Sequence, residues 1–286
     1  MNKVWEFAPI TESFKLDVHG EVKLTKIYED SLIFTTNHNM IYVWDFQKSK
    51  IVERFPAHSV SCLDVDDRVI VTGSYDRNIK VWENSKCKYT LSGHLNSVTN
   101  ILLVGSLIFS AGQDGKLLKW EMKSNTPVKL CANHKCRILK ILLVEEYIVT
   151  VSTDGNMILW DIDLGILQNV NTETNPTSIC LFKKKIILTT YGEMVLFSIQ
   201  KERFHLHHVI GFKNMLRTVG TSCSDYHLLI SGLQGGKLIV NIISNSFNIL
   251  KVREYPEVCN ILIRENTLLR IHNNILFIDT FGDFPQ

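Results

Sequence analysis

The sequence predicts an all-β chain built from one repeated sheet, and three observations carry that prediction. Trp44, Trp82, Trp120 and Trp160 are spaced 38, 38 and 40 positions apart. Before each of the last three, a hydroxyl residue stands ten positions upstream and an Asp six upstream: Thr72 and Asp76, Ser110 and Asp114, Thr150 and Asp154. A His precedes each set, at His58, His94 and His134. Between these markers lie short apolar runs such as Val98–Val104, of the length and composition of strands. A period of about 40 residues means stacked or radial repeats.

These four residue types at these offsets resemble the WD-repeat β-propeller family, in which each blade is a four-stranded antiparallel sheet. The resemblance implies that the His lies on the loop leading into a blade, the Ser or Thr on its second strand, the Asp in the following turn and the Trp on the third strand. The chemistry suits that placement. A buried indole N–H needs an acceptor, and a Ser or Thr hydroxyl accepts from it while donating onward. His then joins the hydroxyl to the Asp carboxylate, so every polar group is satisfied. Ser, His and Asp also make up hydrolase sites, but a constellation present three times in one chain reads as scaffold. The expected fold is a seven-bladed propeller closed by pairing of the N-terminal strand with the C-terminal blade, with six blades as the alternative.

In chain order, Phe14-Lys15-Leu16-Asp17-Val18 alternates apolar with polar and ends at His19-Gly20, which suits residues 12–18 as an outer strand completing the last blade. Such closure removes the open edge of the sheet array. Blade one, 21–55, holds Trp44-Asp45 but has Phe34 and His38 at the hydroxyl and Asp positions, so its tetrad is degraded. Blades two to four, 59–91, 97–131 and 137–170, carry the intact sets His58, Thr72, Asp76, Trp82; His94, Ser110, Asp114, Trp120; and His134, Thr150, Asp154, Trp160. Their first hairpins turn at Asp66-Asp67, Gly105-Ser106 and Glu145-Glu146. Beyond Trp160 the tetrad fades while the period persists: Phe197 follows by 37 residues, Asn241 by a further 44 and Ile278 by 37 more. Blades five to seven are thus placed at 177–210, 217–252 and 257–280, with a shortened turn at Tyr191-Gly192 and Gly235 where blade six needs Asp.

At 286 residues and 45% hydrophobic content, the chain can bury about three-quarters of its unfolded surface as one domain over 1–286. The balance of 31 basic and 29 acidic residues gives no global field that favours nucleic acid or an anionic membrane. Seven Cys, at Cys62, Cys87, Cys131, Cys136, Cys180, Cys223 and Cys259, are scattered mostly in strand patterns. They read as reduced small hydrophobes, which predicts an intracellular protein of the cytoplasm or nucleus. The N-terminus does not read as a signal peptide, and no membrane span is expected.

The expected function is a non-enzymatic scaffold or adaptor, one subunit of a larger complex, whose partners are other proteins. The resemblance implies docking on the face formed by the leading loops and the turns between second and third strands. Candidate contacts there are Asn37, Tyr75, Arg77, Gln113, Lys116, Arg137, Thr153, Lys213 and Arg217. Tyr75 is the foremost, being an aromatic anchor in a polar turn. The alternatives are a ubiquitin-ligase substrate receptor and an enzyme using the central channel. Ser61, Thr99 and Leu139 at the channel side lack the Arg residues such receptors use on phosphate and the acids and bases of a catalytic set. No cofactor, metal or small-molecule substrate is expected. Cys131, His134 and Cys136 fall short of the four ligands of zinc. The histidines His205, His207 and His208 and the run Lys183–Lys185 read as a solvated strand and turn.

Overall fold

The computed structural model describes residues 12–66, 69–190 and 193–211, and beyond these the strand segments 217–223, 228–234, 237–243, 249–255, 260–264, 267–272 and 275–280. Strand β1 is Glu12–Lys15. Blade one follows with β2 (Val22–Tyr28), β3 (Ser31–Thr36), β4 (Met40–Asp45) and β5 (Lys50–Pro56), and blade two with β6 (Val60–Asp66), β7 (Val69–Ser74), β8 (Asn78–Glu83) and β9 (Lys86–Ser92). Blade three is β10 (Val98–Val104), β11 (Leu107–Gly112), β12 (Leu117–Glu121) and β13 (Lys129–Cys131). Blade four is β14 (Ile138–Val144), β15 (Tyr147–Ser152), β16 (Asn156–Trp160) and β17 (Ile166–Asn171). Blade five is β18 (Ser178–Phe182), β19 (Lys185–Thr189), β20 (Glu193–Gln200) and β21 (Arg203–Gly211), and blade six is β22 (Arg217–Cys223), β23 (Leu228–Gln234), β24 (Lys237–Ile243) and β25 (Ile249–Tyr255). The seventh sheet takes β26 (Asn260–Arg264), β27 (Thr267–His272) and β28 (Ile275–Thr280) from the C-terminal part of the chain, and its fourth strand is β1.

Seven four-stranded antiparallel sheets result, each in sequential strand order except the one closed by β1. Their first strands touch in succession, β2 to β6, β10, β14, β18, β22, β26 and back to β2, so the array is a closed ring. Closure places Glu12 opposite Ile278 and Phe14 opposite Leu276. The strand expected over 12–18 ends at Lys15, because the Val18 amide turns back onto the Leu16 carbonyl at 3.0 Å. Leu16 is buried at that turn, and the Phe14 ring stands 5.3 Å from Trp44 of blade one.

Blades one to four are covered on both faces by their neighbours, which is why their second strands read as continuous apolar runs rather than alternating ones. Beyond their first residue, β3, β7, β11 and β15 are wholly buried. Side chains of the first strands lace the blades together. Asp64 Oδ2 accepts the Leu103 amide at 2.9 Å and pairs with Lys26 at 2.7 Å, and Asn100 Oδ1 accepts the Ile141 amide at 2.8 Å. Ser61 and Thr99, expected at the channel, are the bulged residues of β6 and β10. Their hydroxyls donate to the backbone of the next blade, at Val98 and Ile138. On the rim, the buried Lys119 donates to the Ile162 carbonyl and to Asp163 of blade four.

Candidate functional site

In blade two, Trp82 Nε1 donates to Thr72 Oγ1 at 2.8 Å, and that hydroxyl meets His58 Nε2 at 2.7 Å. His58 Nδ1 lies 3.1 Å from Asp76 Oδ2, and Asp76 Oδ1 accepts the Asn78 amide. One proton arrangement satisfies the whole chain of bonds: neutral His donates from Nδ1 to the carboxylate, and Thr72 donates to Nε2 while accepting from the indole. Burial pushes the His58 pKa down despite the pull of Asp76, which favours that neutral form. Blade three repeats the pattern, with Trp120 to Ser110 at 2.9 Å, Ser110 to His94 at 2.8 Å and His94 Nδ1 at 3.2 Å from both Asp114 oxygens. Burial raises the Asp114 pKa, but the bond from His94 and the Leu95 and Lys116 amides outweigh it and hold the carboxyl below its ordinary range. Gly112 faces this pair so closely that a Cβ there would sit 2.3 Å from Asp114 Oδ1 and 2.6 Å from His94 Nδ1.

Blade four differs. Trp160 reaches Thr150 at 2.8 Å and Thr150 reaches His134 Nε2 at 2.7 Å, but His134 Nδ1 is buried without a hydrogen-bond partner. Asp154, expected to take that nitrogen, instead accepts the Ser152 hydroxyl and the Asn156 amide. The competitor is the residue two before the Asp. Its counterpart Ser74 in blade two donates to the Ser59 carbonyl at 2.7 Å and leaves Asp76 to His58, and blade three has no hydroxyl there. Burial without a carboxylate bond takes the His134 pKa down to about 4. In blade one, Phe34 stacks on Tyr42 at 5.2 Å where the hydroxyl is missing, and Trp44 Nε1 is left without a partner.

In blades one to four the turn between second and third strands is tied to the leading loop by a backbone bond. The amides of Asn37, Tyr75, Gln113 and Thr153 each donate to the carbonyl of a leading-loop residue of the same blade, Glu21, Ser59, Ser97 and Arg137. All four side chains are exposed, as are Arg77 and Arg137, while Lys116 is half-buried. Arg77 has φ 75°, in the left-handed region that Gly115 and Gly155 occupy in blades three and four. Lys213 lies outside the described residues. Arg217, expected among the loops, is the first residue of β22 and pairs opposite Leu233, so its backbone belongs to a strand. Sequence reasoning passed over Leu95, the residue after the tetrad His94, which is 69% exposed. Its loop meets the Tyr75 turn, where Ser97 Oγ donates to the Tyr75 carbonyl at 3.5 Å, and Tyr75 is 60% exposed. Among the described residues no cluster of three or more His, Cys, Asp or Glu is arranged to hold a metal ion, Cys131, His134 and Cys136 included.

Comparison with known proteins matches residues 49–83 and 85–121 to the WD domain, G-beta repeat. Mitochondrial division protein 1 of Candida glabrata is 25% identical over 108 residues, which cover 32% of this chain and 15% of that protein. Autophagy-related protein 16 of Arabidopsis thaliana is 28% identical over 38% of this chain and 23% of its own length. MST50-interacting protein 11 of Pyricularia oryzae is 34% identical over 27% of each chain. The aligned part therefore spans less than a third of each of these relatives. Among solved structures, the β-propeller domain of Myceliophteria thermophila Cps50 (Swd1) superposes with a TM-score of 0.77 at 12% identity, over 96% of this chain and 99% of that one. The computationally designed Ika8 protein superposes with a TM-score of 0.73 at 13% identity. At such identities the likeness concerns the fold.

Proposed function

We propose that this chain, a member of the WD-repeat β-propeller family, is a protein-interaction scaffold that docks partners on the loop face of blades two to four. The observation that carries this reading is the exposure of Tyr75 and Leu95 on a turn and a leading loop that the Ser97 hydroxyl joins, with the basic residues Arg77, Lys116, Lys135 and Arg137 on the turns and leading loops of the same three blades. The carboxylates of the same face, Asp76 and Asp114, are committed to His58 and His94. An apolar anchor on a rigid frame costs little entropy to bury, and aromatic and Arg residues are enriched among the energetic centres of interfaces. The adaptor role suits the WD-repeat architecture in general, and membership of a larger assembly is part of the proposal.

The test is affinity capture from a cell lysate with the wild-type chain beside Tyr75→Ala/Leu95→Ala/Arg137→Glu, checked for folding by circular dichroism and followed by mass spectrometry. A defined set of proteins lost with the variant places docking on this face. Retention of every partner overturns it.

A further inference from the structure

Among the described residues, the connection between β12 and β13 is the longest that joins a third strand to a fourth. Residues 122–128 make it in blade three, whereas residues 46–49, 84–85, 161–165 and 201–202 do so in blades one, two, four and five. It leaves β12 at the end opposite the Lys116 turn, away from the loop face, and reads Met-Lys-Ser-Asn-Thr-Pro-Val. The chain has 6 Pro, and Pro127 alone follows a hydroxyl residue, Thr126. Lys129 stands at the third position after that Thr.

Thr126 is exposed, and its hydroxyl has no hydrogen-bond partner among the described residues. Hydroxyls in and beside β9 are in use by contrast: Ser85 donates to Glu53 and Ser92 to Asn78, both at 2.7 Å, and Thr90 lies 3.7 Å from Cys87 Sγ. The segment around Thr126 is also lightly held. The Ser124 amide donates to the Glu121 carbonyl at 2.9 Å, the Ser124 hydroxyl to the Thr126 carbonyl at 3.0 Å, and the Thr126 amide to Ser124 Oγ at 3.4 Å. Among the described residues, 123–127 make no hydrogen bond to another blade. Firm bonding resumes on either side, with the Met122 amide on the Ser106 carbonyl and the Val128 amide on the Lys119 carbonyl. Residues 123–127, with the half-buried Pro127, can therefore lift from the rim without opening the ladder, at about 1 kcal/mol for each bond given up.

We propose that Thr126 is a phosphoacceptor for a proline-directed Ser/Thr kinase. Pro has no N–H, fixes its own φ and biases the residue before it to extended backbone. A kinase cleft that offers no acceptor after the hydroxyl residue takes Pro there and disfavours other residues, whose amide would be left unpaired. A cation at the third position gives such a cleft a second grip. Lys129 is exposed, and its ammonium donates to the Asp163 carbonyl of blade four at 2.6 Å, a surface bond that water replaces when the kinase takes the side chain. In the transfer, Thr126 Oγ1 bonds to the γ-phosphorus of Mg-ATP and the bond from that phosphorus to the bridging oxygen breaks. ADP leaves, and the hydroxyl proton passes to the catalytic carboxylate of the kinase. The product carries about −1.5 to −2 charge at pH 7, which offsets Lys123 and Lys129 in the sequence around it. Phosphorylation thereby switches the charge of the rim at the end of the blade opposite the loop face.

The test incubates the full chain with Mg-ATP and a purified cyclin-dependent kinase bound to its cyclin, beside an unfolded peptide of residues 119–133 as reference substrate. Intact mass and peptide mapping read the products. The expected result is one phosphoryl group, on Thr126, with a kcat/KM for the chain within about a hundredfold of the peptide's. Thr126→Ser should keep the reaction and Thr126→Ala should abolish it. Pro127→Ala and Lys129→Ala should each lower kcat/KM by about tenfold or more. Both should cost as much in the peptide as in the chain, which separates recognition by the kinase from any loosening of the fold. The proposal is overturned by a kcat/KM for the chain more than about a hundredfold below the peptide's, by phosphoryl transfer to other residues with Thr126 unmodified, or by undiminished transfer to Pro127→Ala.

Discussion

His94 and His134 occupy the same place in adjacent blades and make different bonds, which ranks their carboxylates. Removing Asp114 strands a buried His94 N–H, at a cost of about 1–3 kcal/mol. His134 Nδ1 is already unpartnered, so Asp154→Ala removes only the bonds to Ser152 and Asn156. Urea unfolding should therefore show a larger fall in midpoint for Asp114→Ala than for Asp154→Ala; the reverse order would mean that the hydrogen bonds do not rank the tetrads. The same burial gives a pH dependence. His58 and His134 are held below the ordinary value of about 6.5, His134 at about 4. Below pH 6.5 the unfolded chain takes up protons that the folded one refuses, so stability falls from there towards pH 4, by up to about 3 kcal/mol for His134. The measurement is the unfolding free energy against pH for wild type and His134→Gln, and the variant should show the shallower slope.

At the scale of the element, two turn positions make opposite predictions. Gly112→Ala drives a Cβ into the Asp114 and His94 side chains, whose own bonds hold them in place. It should cost at least as much as losing that hydrogen bond, about 1–3 kcal/mol. Arg77→Gly relieves a left-handed backbone and should stabilise by about 1 kcal/mol, while weakening partner capture if the loop face docks. Thermal melting reads both. These turns also show what the sequence could reveal. The spacing of His, hydroxyl, Asp and Trp is periodic, so Trp82–Thr72 and Trp120–Ser110 were legible as pairs. The diversion of Asp154 to Ser152 was not, because whether a hydroxyl two residues upstream bonds a carboxylate or a loop carbonyl depends on rotamers, not on spacing. Leu95 escaped for a related reason: one Leu in a polar loop carries no period, and only the fold brings its loop against the Tyr75 turn.

On the scale of the molecule, the ring is a set of nearest-neighbour contacts, and its weakest seam should be where a sheet is assembled from both ends of the chain. The alternating N-terminal segment made this closure legible, because three C-terminal strands lacked a fourth. Its short extent was hidden, since the turn at Leu16 depends on tertiary burial. β1 contributes four residues to the seventh sheet, and Phe14 links it to Trp44 of blade one. In repeat architectures, stability sums over units and their interfaces, so loosening one seam opens its neighbours first. Phe14→Ala removes a ring that is only half-buried and should cost about 2 kcal/mol, less than a fully buried Phe. Native-state hydrogen exchange should then accelerate most at Ile275–Ile278 and next at Met40–Trp44, with little change at Met157–Leu159 on the far side of blade two. Equal acceleration in all seven sheets would mean that the seam is as strong as any other interface and that the ring opens only as a whole.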